Sequence, residues 1–414
     1  MSAYTLRQVR VLDRGGGFSE PVDVRVEDGR VAAVGRALPA EGVSVDCAGL
    51  WLMPGVFDCH DHVSFSSVDL GENLTTPVTQ WALEAARNAR LTLEAGVTFV
   101  RDLAGADRGL RDGLAAGFVD GPRLQISVVL ICQTGGHGDA YVSGAGLERT
   151  IWPAIPGSPP YRVDGPETMR HVVRAVLRAG ADWIKLATTG GLVSEHDEPL
   201  VPELTPEEIA VAVFEGRRKG KHVAAHAYGG EGLTNAVRAG VRSIEHGVFL
   251  SEDQAALMAE RGCFLVPTLS AMRDCVRWAE EGALTPTQCR KILDFGLDIG
   301  ACVRLAKEYG VPLASGTDYI NRAQHGRNLE ELALMRAAGL TPEETLLVAT
   351  AGGAELCGVE DEYGRIEPGY VFDAIVLDED PGDLSRFAEP GAVTGVFRSG
   401  RPVLPHPRVV EARL

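Results

Sequence analysis

The chain of 414 residues has no run of 18 apolar residues, no CxxC cysteine pair, and no internal repeat or low-complexity tract. A membrane-spanning helix needs about 20 consecutive apolar residues, so none is expected. Without a CxxC pair, the eight cysteines indicate neither a zinc ribbon nor a dithiol redox motif. The first residues lack the apolar core of a signal peptide, and a reducing cytoplasm is therefore the expected compartment.

Basic residues are fewer than acidic residues. The chain contains 40 Lys and Arg and 57 Asp and Glu, which gives a formal net charge of −17. This balance argues against nucleic acid and against an anionic membrane surface as partners. The hydrophobic content of 45% and the charged content of 23% are typical of globular proteins. The length suits a (β/α)8 barrel with a small additional domain better than one compact core.

Both ends of the chain show the alternation of apolar and polar residues that is typical of antiparallel strands. Near the start, the alternation covers residues 4–12, 21–36 and 43–52. Asp28-Gly29 is the expected hairpin turn, and the alternation returns beyond residue 360. We therefore expect residues 1–54 and 359–414 to form one small β-sandwich domain beside a barrel domain at 55–358.

Between these ends, strand-like runs alternate with helical runs. The predicted strands are 56–62, 97–102, 123–131, 182–188, 222–227, 242–247, 263–268 and 311–317. The predicted helices are 79–95, 107–117, 166–180, 205–220, 230–240, 251–262, 286–310 and 328–339. Eight strand–helix pairs indicate an α/β fold of the (β/α)8 TIM-barrel type, and a doubly wound open sheet is the structural alternative.

The first predicted barrel strand ends in a His-x-His pair. Side chains alternate between the two faces of a strand, so His60 and His62 point to the same side and Asp61 points to the other. Two imidazoles side by side suit a divalent metal ion. The structural alternative is a chance pair of half-buried histidines.

Four more polar residues lie where other predicted strands end, namely Lys185, His226, His246 and Asp318. In a barrel, these strand ends line one mouth, where catalytic groups converge. Taken singly, each residue has a structural explanation. The lysine could extend to water, each histidine could be a hydrogen-bonded core residue, and the aspartate could be a helix N-cap. The spacing along the chain nevertheless places all six side chains at one rim.

The order of these residues resembles the binuclear-metal branch of the amidohydrolase superfamily. The segments 54–62 (PGVFDCHDH) and 364–374 (GRIEPGYVFDA) resemble it as well, so the similarity covers essentially the whole chain. Residues 134–139 (TGGHGD), 226–229 (HAYG) and His325-Gly326 resemble a narrower group. That group contains Xaa-Pro dipeptidases (prolidases), imidazolonepropionase-like proteins, Xaa-Arg or Xaa-Lys carboxypeptidase-like enzymes and ochratoxin-hydrolysing amidases.

The resemblance implies two divalent metal ions, the more buried one bound by His60, His62 and Asp318 and the second by His226 and His246. Lys185 would be carboxylated on Nζ by CO2 and would bridge both ions, because an unmodified ammonium has donors and no acceptor. Burial lowers the pKa of a lysine and so provides the neutral amine that reacts with CO2. Zinc is the favoured metal for these ligands, with other transition ions as alternatives.

The resemblance also implies that a hydroxide bridging the two metals attacks an amide carbonyl. Asp318 would take the proton of this hydroxide and pass it to the leaving nitrogen. His137 would donate to the carbonyl or to a carboxylate of the substrate, and Tyr228 would bind a carboxylate or the oxyanion. The structural alternatives are a solvent-exposed loop histidine for His137 and a rim aromatic without a polar role for Tyr228.

We therefore expect a hydrolase of a small-molecule substrate with an amino-acid leaving group, either a dipeptidase or an N-acyl-amino-acid amidohydrolase, and a homo-oligomer as is frequent in this branch. The alternatives are a cyclic amide hydrolase of the imidazolonepropionase type and a non-catalytic or mononuclear deaminase-like relative. Lys185 argues against a mononuclear deaminase, and Asp318 argues against a non-catalytic protein. The charged run 195–198 is expected to be solvated, and Arg322 and Arg327 are weaker candidates for binding a substrate carboxylate.

Overall fold

The computed structural model describes residues 3–39, 41–67, 69–142, 146–150, 157–294 and 296–412. Their strands form two parallel sheets, one mixed sheet and one two-stranded hairpin. Among these residues, no helix combines the length and the apolar character that a membrane crossing requires.

The two parallel sheets form the centre of the molecule. The first contains β6 (Val56–Asp61), β7 (Val97–Asp102) and β8 (Arg123–Ile126) in that order. The second contains β9 (Leu130–Ile131), β12 (Trp183–Ala187), β13 (His222–Gly229), β14 (Ser243–Phe249) and β15 (Phe264–Val266) as neighbours. Nearly all residues of these strands are buried, as expected for parallel strands that are covered on both faces.

The segment 312–318 connects the free edges of the two parallel sheets. On one side, the Leu265 N–H donates to the Pro312 carbonyl at 2.9 Å. On the other side, the Cys59 N–H donates to the Ser315 carbonyl at 2.8 Å. The predicted strand 311–317 is therefore present as an irregular, hydrogen-bonded segment rather than as a regular strand.

Helices follow the strands and cover the two parallel sheets. They are α2 (Val78–Glu94), α3 (Arg108–Ala115), α4 (Pro166–Arg178), α5 (Pro206–Arg217), α6 (Gly230–Ala239), α7 (Glu252–Arg261), α10 (Ala301–Tyr309) and α11 (Glu330–Ala337). The start of α5 shows why these helices begin where they do. Thr205 accepts from the Glu208 N–H and the Glu208 side chain bonds back to Thr205, while Pro206 occupies the first helical position.

One predicted helix was wrong, and another helix was not predicted. The predicted helix 286–310 is two helices, α9 (Pro286–Asp294) and α10, because Gly296 adopts a left-handed φ of 55°. Helix α8 (Leu269–Glu280) was not predicted, although it buries seven of its residues. The other short elements are α1 (Leu70–Thr75), the hairpin β10 (Asp139–Val142) and β11 (Leu147–Thr150), α12 (Pro342–Leu347), a π-helical turn (Val348–Gly352) and α13 (Gly353–Cys357).

The mixed sheet combines strands from both ends of the chain. Its strands are β1 (Tyr4–Val11), β2 (Val22–Glu27), β3 (Arg30–Gly35), β4 (Val43–Asp46), β5 (Trp51–Pro54), β16 (Ala374–Leu377), β17 (Gly395–Arg398) and β18 (Arg401–Leu404), with a 3-10 turn (Leu384–Ala388) and α14 (Pro407–Glu411) beside them. These strands form one hydrogen-bonded sheet, because β1 pairs with β2 and β4 along its first half and with β5 along its second half. Aromatic contacts of Tyr4, Phe372 and Phe397 fill its core.

Candidate metal centre

His60, His62 and Asp318 come together where β6 ends. The Nε2 atoms of His60 and His62 lie 3.3 and 3.0 Å from Oδ1 of Asp318. One ligand atom from each of the three residues lies within 4.8 Å of the others. Burial would raise the pKa of Asp318, but the adjacent His60, His62 and His246 hold it well below its ordinary value. The group therefore offers two imidazoles and an ionised carboxylate.

The opposite ring nitrogens of the two histidines are held by hydrogen bonds. Nδ1 of His60 bonds to the Glu245 carboxylate at 2.9 Å, and Nδ1 of His62 bonds to the Ala104 carbonyl at 2.8 Å. Because each Nδ1 donates in these bonds, Nε2 is the ring atom that faces Asp318, and in a neutral ring it carries the lone pair that can bind a cation. Acceptors at this separation repel one another unless a cation or a further proton lies among them, so the arrangement fits a metal ion.

A second pair of imidazoles comes from the neighbouring strands β13 and β14. Nε2 of His226 donates to the Gly190 carbonyl at 3.1 Å, and Nδ1 of His246 bonds to the Thr268 hydroxyl at 2.7 Å. The ring of His246 is 4.7 Å from that of His226 and 5.1 Å from that of His60. Burial lowers the pKa of both His226 and His246 well below the ordinary value, which keeps them neutral. Nδ1 of His226 and Nε2 of His246 are left to bind a metal.

Lys185 lies in the middle of β12 and is buried, with 2% of its surface exposed. Its Nζ has no hydrogen-bond partner in the part of the chain that the structure describes. Burial lowers the pKa of Lys185 to about 8, against the opposing effect of the Glu245 and Asp318 charges. A buried, unpaired amine is costly. The residues present therefore fit a further group bound at Nζ, and a carboxylated lysine between two metal ions is such a group.

Two of the candidate ligands lie at strained backbone positions. His246 and Asp318 have left-handed φ angles of 73° and 55°, which cost free energy in residues with a side chain. Gly316 allows its segment to approach β6 closely, because a Cβ at this position would lie 2.8 Å from the His60 backbone nitrogen. Both of these strained residues therefore carry side chains that are directed into the centre.

His137 and Tyr228 lie beside the second imidazole pair. The ring of His137 stacks on that of His226 at 4.1 Å, and the ring of Tyr228 is 4.9 Å from His226 and 5.2 Å from His246. Burial raises the pKa of Tyr228 well above its ordinary value, so its hydroxyl keeps its proton. The structure thus brings all eight predicted site residues into one cluster.

Residues that hold the ligands were not predicted. Arg101 and Glu245 are fully buried and paired, with Arg101 donating to both carboxylate oxygens at 2.9 and 3.1 Å. Asp58 accepts from the Thr317 hydroxyl at 2.6 Å and from the Asn328 amide at 2.8 Å, which connects the two segments that carry His60 and Asp318. The signal in the sequence was a charged residue within a buried strand, namely Glu245 directly before His246 and Asp58 two positions before His60.

Three weaker interpretations can now be compared with the structure. Arg322 is bound to Glu72 and Glu84, and Arg327 is bound to Glu330, so both arginines already have carboxylate partners within the protein. The expectation that the charged run 195–198 is entirely solvated was wrong, because the side chain of Asp197 is only 6% exposed and is paired with Lys291.

Comparisons with known proteins identify the family of this chain. The sequence model of the Amidohydrolase family matches residues 51–403. Ochratoxinase of Aspergillus niger is 33% identical over 365 residues, which cover 84% of this chain and 75% of that protein. Imidazolonepropionase of Vibrio cholerae is 24% identical over 411 residues, which cover 90% of each chain. A crystal structure of a prolidase complexed with N-methylphosphonate-L-proline has a TM-score of 0.88 and 31% identity, and the match covers 98% of this chain and 100% of the other.

The fold and the family match define a hydrolase that acts on carbon–nitrogen bonds. The chain belongs to the amidohydrolase family, whose members generally bind divalent metals. The resemblance to prolidases and to imidazolonepropionases that the sequence motifs indicated is confirmed.

Proposed function

We propose that this protein is a metal-dependent hydrolase of amide bonds whose leaving group is an amino acid, that is, a dipeptidase or an N-acyl-amino-acid amidohydrolase. The observation that carries the proposal is the buried, unpaired Nζ of Lys185, whose charge interacts with Asp318, His226 and His246. The prolidase relative, which is complexed with a phosphonate derivative of proline, supports an amino-acid product.

The proposed ligands of two divalent cations, with zinc favoured, are His60, His62 and Asp318 for one ion, His226 and His246 for the other, and carboxylated Lys185 for both. When bound, the two cations supply an ionised water at neutral pH and polarise the scissile carbonyl. The two parallel sheets and the segment 312–318 would together be the closed (β/α)8 barrel that carries these residues. The mixed sheet formed by both chain ends would be the separate small domain.

Each remaining role belongs to a side chain of this protein. Asp318, held ionised beside His60 and His62, accepts the proton of the attacking water and returns it to the leaving nitrogen. Tyr228 keeps its proton and donates to the oxyanion or to a carboxylate of the substrate. His137 donates from Nε2 to the carbonyl or to the carboxylate when the ring carries a proton on both nitrogens, because its Nδ1–H faces Ser194 and Asp197.

The second candidate function is cyclic amide hydrolysis, which the match to imidazolonepropionase supports over 90% of both chains. A mononuclear deaminase-like relative is disfavoured because Lys185, which would be a ligand of both cations, is present. A non-catalytic relative is disfavoured because Asp318 is present and its surroundings keep the carboxyl group ionised.

A substrate panel tests the proposal. Protein reconstituted with zinc is offered dipeptides and N-acyl amino acids, and released amine is measured with ninhydrin. Imidazolone-type substrates are offered in parallel, and ring opening is followed by the loss of ultraviolet absorbance. We expect amine release and little ring opening. The opposite result would assign the second candidate function, and no hydrolysis by protein with full metal content would contradict both.

A further inference from the structure

A buried ion pair lies outside the proposed metal ligands. Lys291 in α9 is only 1% exposed. Its Nζ donates to the Gly191 carbonyl at 3.2 Å, the Ser194 carbonyl at 3.0 Å and the Asp197 carboxylate at 2.9 Å. Lysine and aspartate are almost never buried to this extent unless they are paired. The Lys291 ammonium group therefore binds three residues of the loop that follows β12.

Asp197 connects this ion pair to His137. Its Oδ2 lies 3.4 Å from Nδ1 of His137 and accepts from the Gly191 N–H at 3.1 Å, while its Oδ1 accepts from the Ser194 hydroxyl. Burial would raise the pKa of Asp197, but His137, Ser194 and Lys291 hold it well below its ordinary value. An ionised acceptor therefore faces Nδ1 of His137.

The other surroundings of His137 fix the ring further. Its backbone N–H donates to Glu203 at 2.8 Å, and its ring stacks on that of His226 at 4.1 Å. Glycine at position 191 allows the ring to lie this close, because a Cβ there would lie 2.1 Å from the His137 ring. Nδ1 is directed at the Ser194 hydroxyl at 3.1 Å and at Asp197 at 3.4 Å, so Nε2 is the ring atom that remains for a substrate.

We propose that the buried Lys291–Asp197 ion pair positions His137, so that helix α9 is part of the substrate-binding apparatus although it contributes none of the proposed metal ligands. Lys291 and Asp197 are positioning residues, because they act through His137. The role of His137 toward a substrate rests on the proposed function. The orientation of the His137 ring by the ion pair does not depend on it.

The same helix supplies a matched control. Arg290 precedes Lys291 and pairs with Glu198 at 2.8 Å, and both of these side chains are about half exposed. Arg290→Met and Lys291→Met therefore remove neighbouring cations that bind the same loop, but only Lys291 reaches Asp197. Lys291→Met alone leaves Asp197 buried without its cation and risks misfolding. The double variant Lys291→Met/Asp197→Asn removes both charges and keeps the shapes close to the original.

The first experiment measures kcat/KM, bound metal and the thermal unfolding midpoint. For the double variant we expect metal content and unfolding midpoint close to those of the wild type, with kcat/KM lower by about 100-fold, as for a misplaced catalytic group. We expect Arg290→Met to keep wild-type kcat/KM. If the double variant folds, binds metal and keeps kcat/KM within about threefold of the wild type, the proposal is overturned.

The second experiment asks whether the ion pair acts through His137. In a His137→Asn background, adding Lys291→Met/Asp197→Asn should not lower kcat/KM further, because the group that the pair positions is already absent. A loss of the same size in both backgrounds would overturn the proposal.

A third measurement needs no substrate. In protein labelled with 15N-histidine, the hydrogen-bonded Nδ1–H of His137 is assigned by its absence in His137→Asn. We expect this signal to persist in Arg290→Met and to shift or vanish in the double variant. An unchanged signal in the double variant would overturn the positioning role. The expected shift in a protein that hydrolyses none of the panel would instead contradict the proposed function alone.

Discussion

Arg101 carries the most stringent prediction about stability, because it connects four strands beneath the candidate metal centre. Its guanidinium donates to the Cys59 carbonyl at 2.5 Å, to the Ser243 hydroxyl at 3.0 Å and to Glu245 at 2.9 and 3.1 Å. It also lies 4.5 Å from the ring centroid of Trp183. The side chains of both Arg101 and Glu245 are fully buried.

The substitution Arg101→Met keeps the apolar stem and removes the charge. Glu245 is then buried without its main cation, and breaking a buried pair in this way costs about 3–5 kcal/mol. Burial already acts to raise the pKa of Glu245, and Arg101 is the largest opposing influence. Because Glu245 also holds Nδ1 of His60, we expect metal affinity to fall by about 10- to 100-fold.

Urea unfolding of the metal-free protein, followed by circular dichroism, measures the change in the free energy of unfolding. Arg108→Met is the control, because Arg108 forms an exposed pair with Asp112 on the surface of α3, and we expect no measurable change. A loss below about 1 kcal/mol for Arg101→Met relative to this control would refute the reasoning about the buried pair.

Three further predictions concern the site. Asp318→Asn should retain bound metal but lose at least about 100-fold in kcat, and wild-type turnover with full metal content would remove Asp318 from proton transfer. Burial raises the pKa of Glu203 to about 9 from 4.5, so its contribution to stability is complete below pH 4.5 and is lost as the pH rises toward 9. Glu203→Gln should therefore flatten the fall of the thermal unfolding midpoint between pH 5 and 9, and parallel curves for the two proteins would contradict this. Gly191→Ala should lower kcat/KM more than it lowers the unfolding midpoint, because its Cβ would lie 2.1 Å from the His137 ring, and unchanged kinetics would show that the ring has room to move.

The strands and the candidate ligands were predictable because each leaves a local pattern. A buried parallel strand is a short apolar run, and a polar residue at its end, such as His226 or Asp318, is conspicuous in that setting. The mixed sheet was visible from period-two alternation at both ends of the chain. The motifs around His60 and His226 then supplied the family resemblance that the comparisons confirm.

The residues that hold those ligands could not be predicted in the same way, because their partners are distant in the chain. The burial of Glu245 is explained by its ion pair with Arg101, which is distant in the sequence. Asp197 lies in a charged run that resembles a solvated loop, and its partner Lys291 is 94 residues later. Helix α8 follows directly on β15 from Thr268, whose left-handed φ of 49° gives no signal in its residue type. Pairing over such separations is a property of tertiary structure.

The central claim is that Lys185 joins two cations in one centre, and metal analysis by mass spectrometry tests it most directly. After reconstitution with zinc and bicarbonate and removal of loosely bound ions, we expect two zinc ions per wild-type chain and at most one per Lys185→Met chain, with activity lost in the variant. Two tightly bound ions in both proteins, or none in either, would contradict the claim.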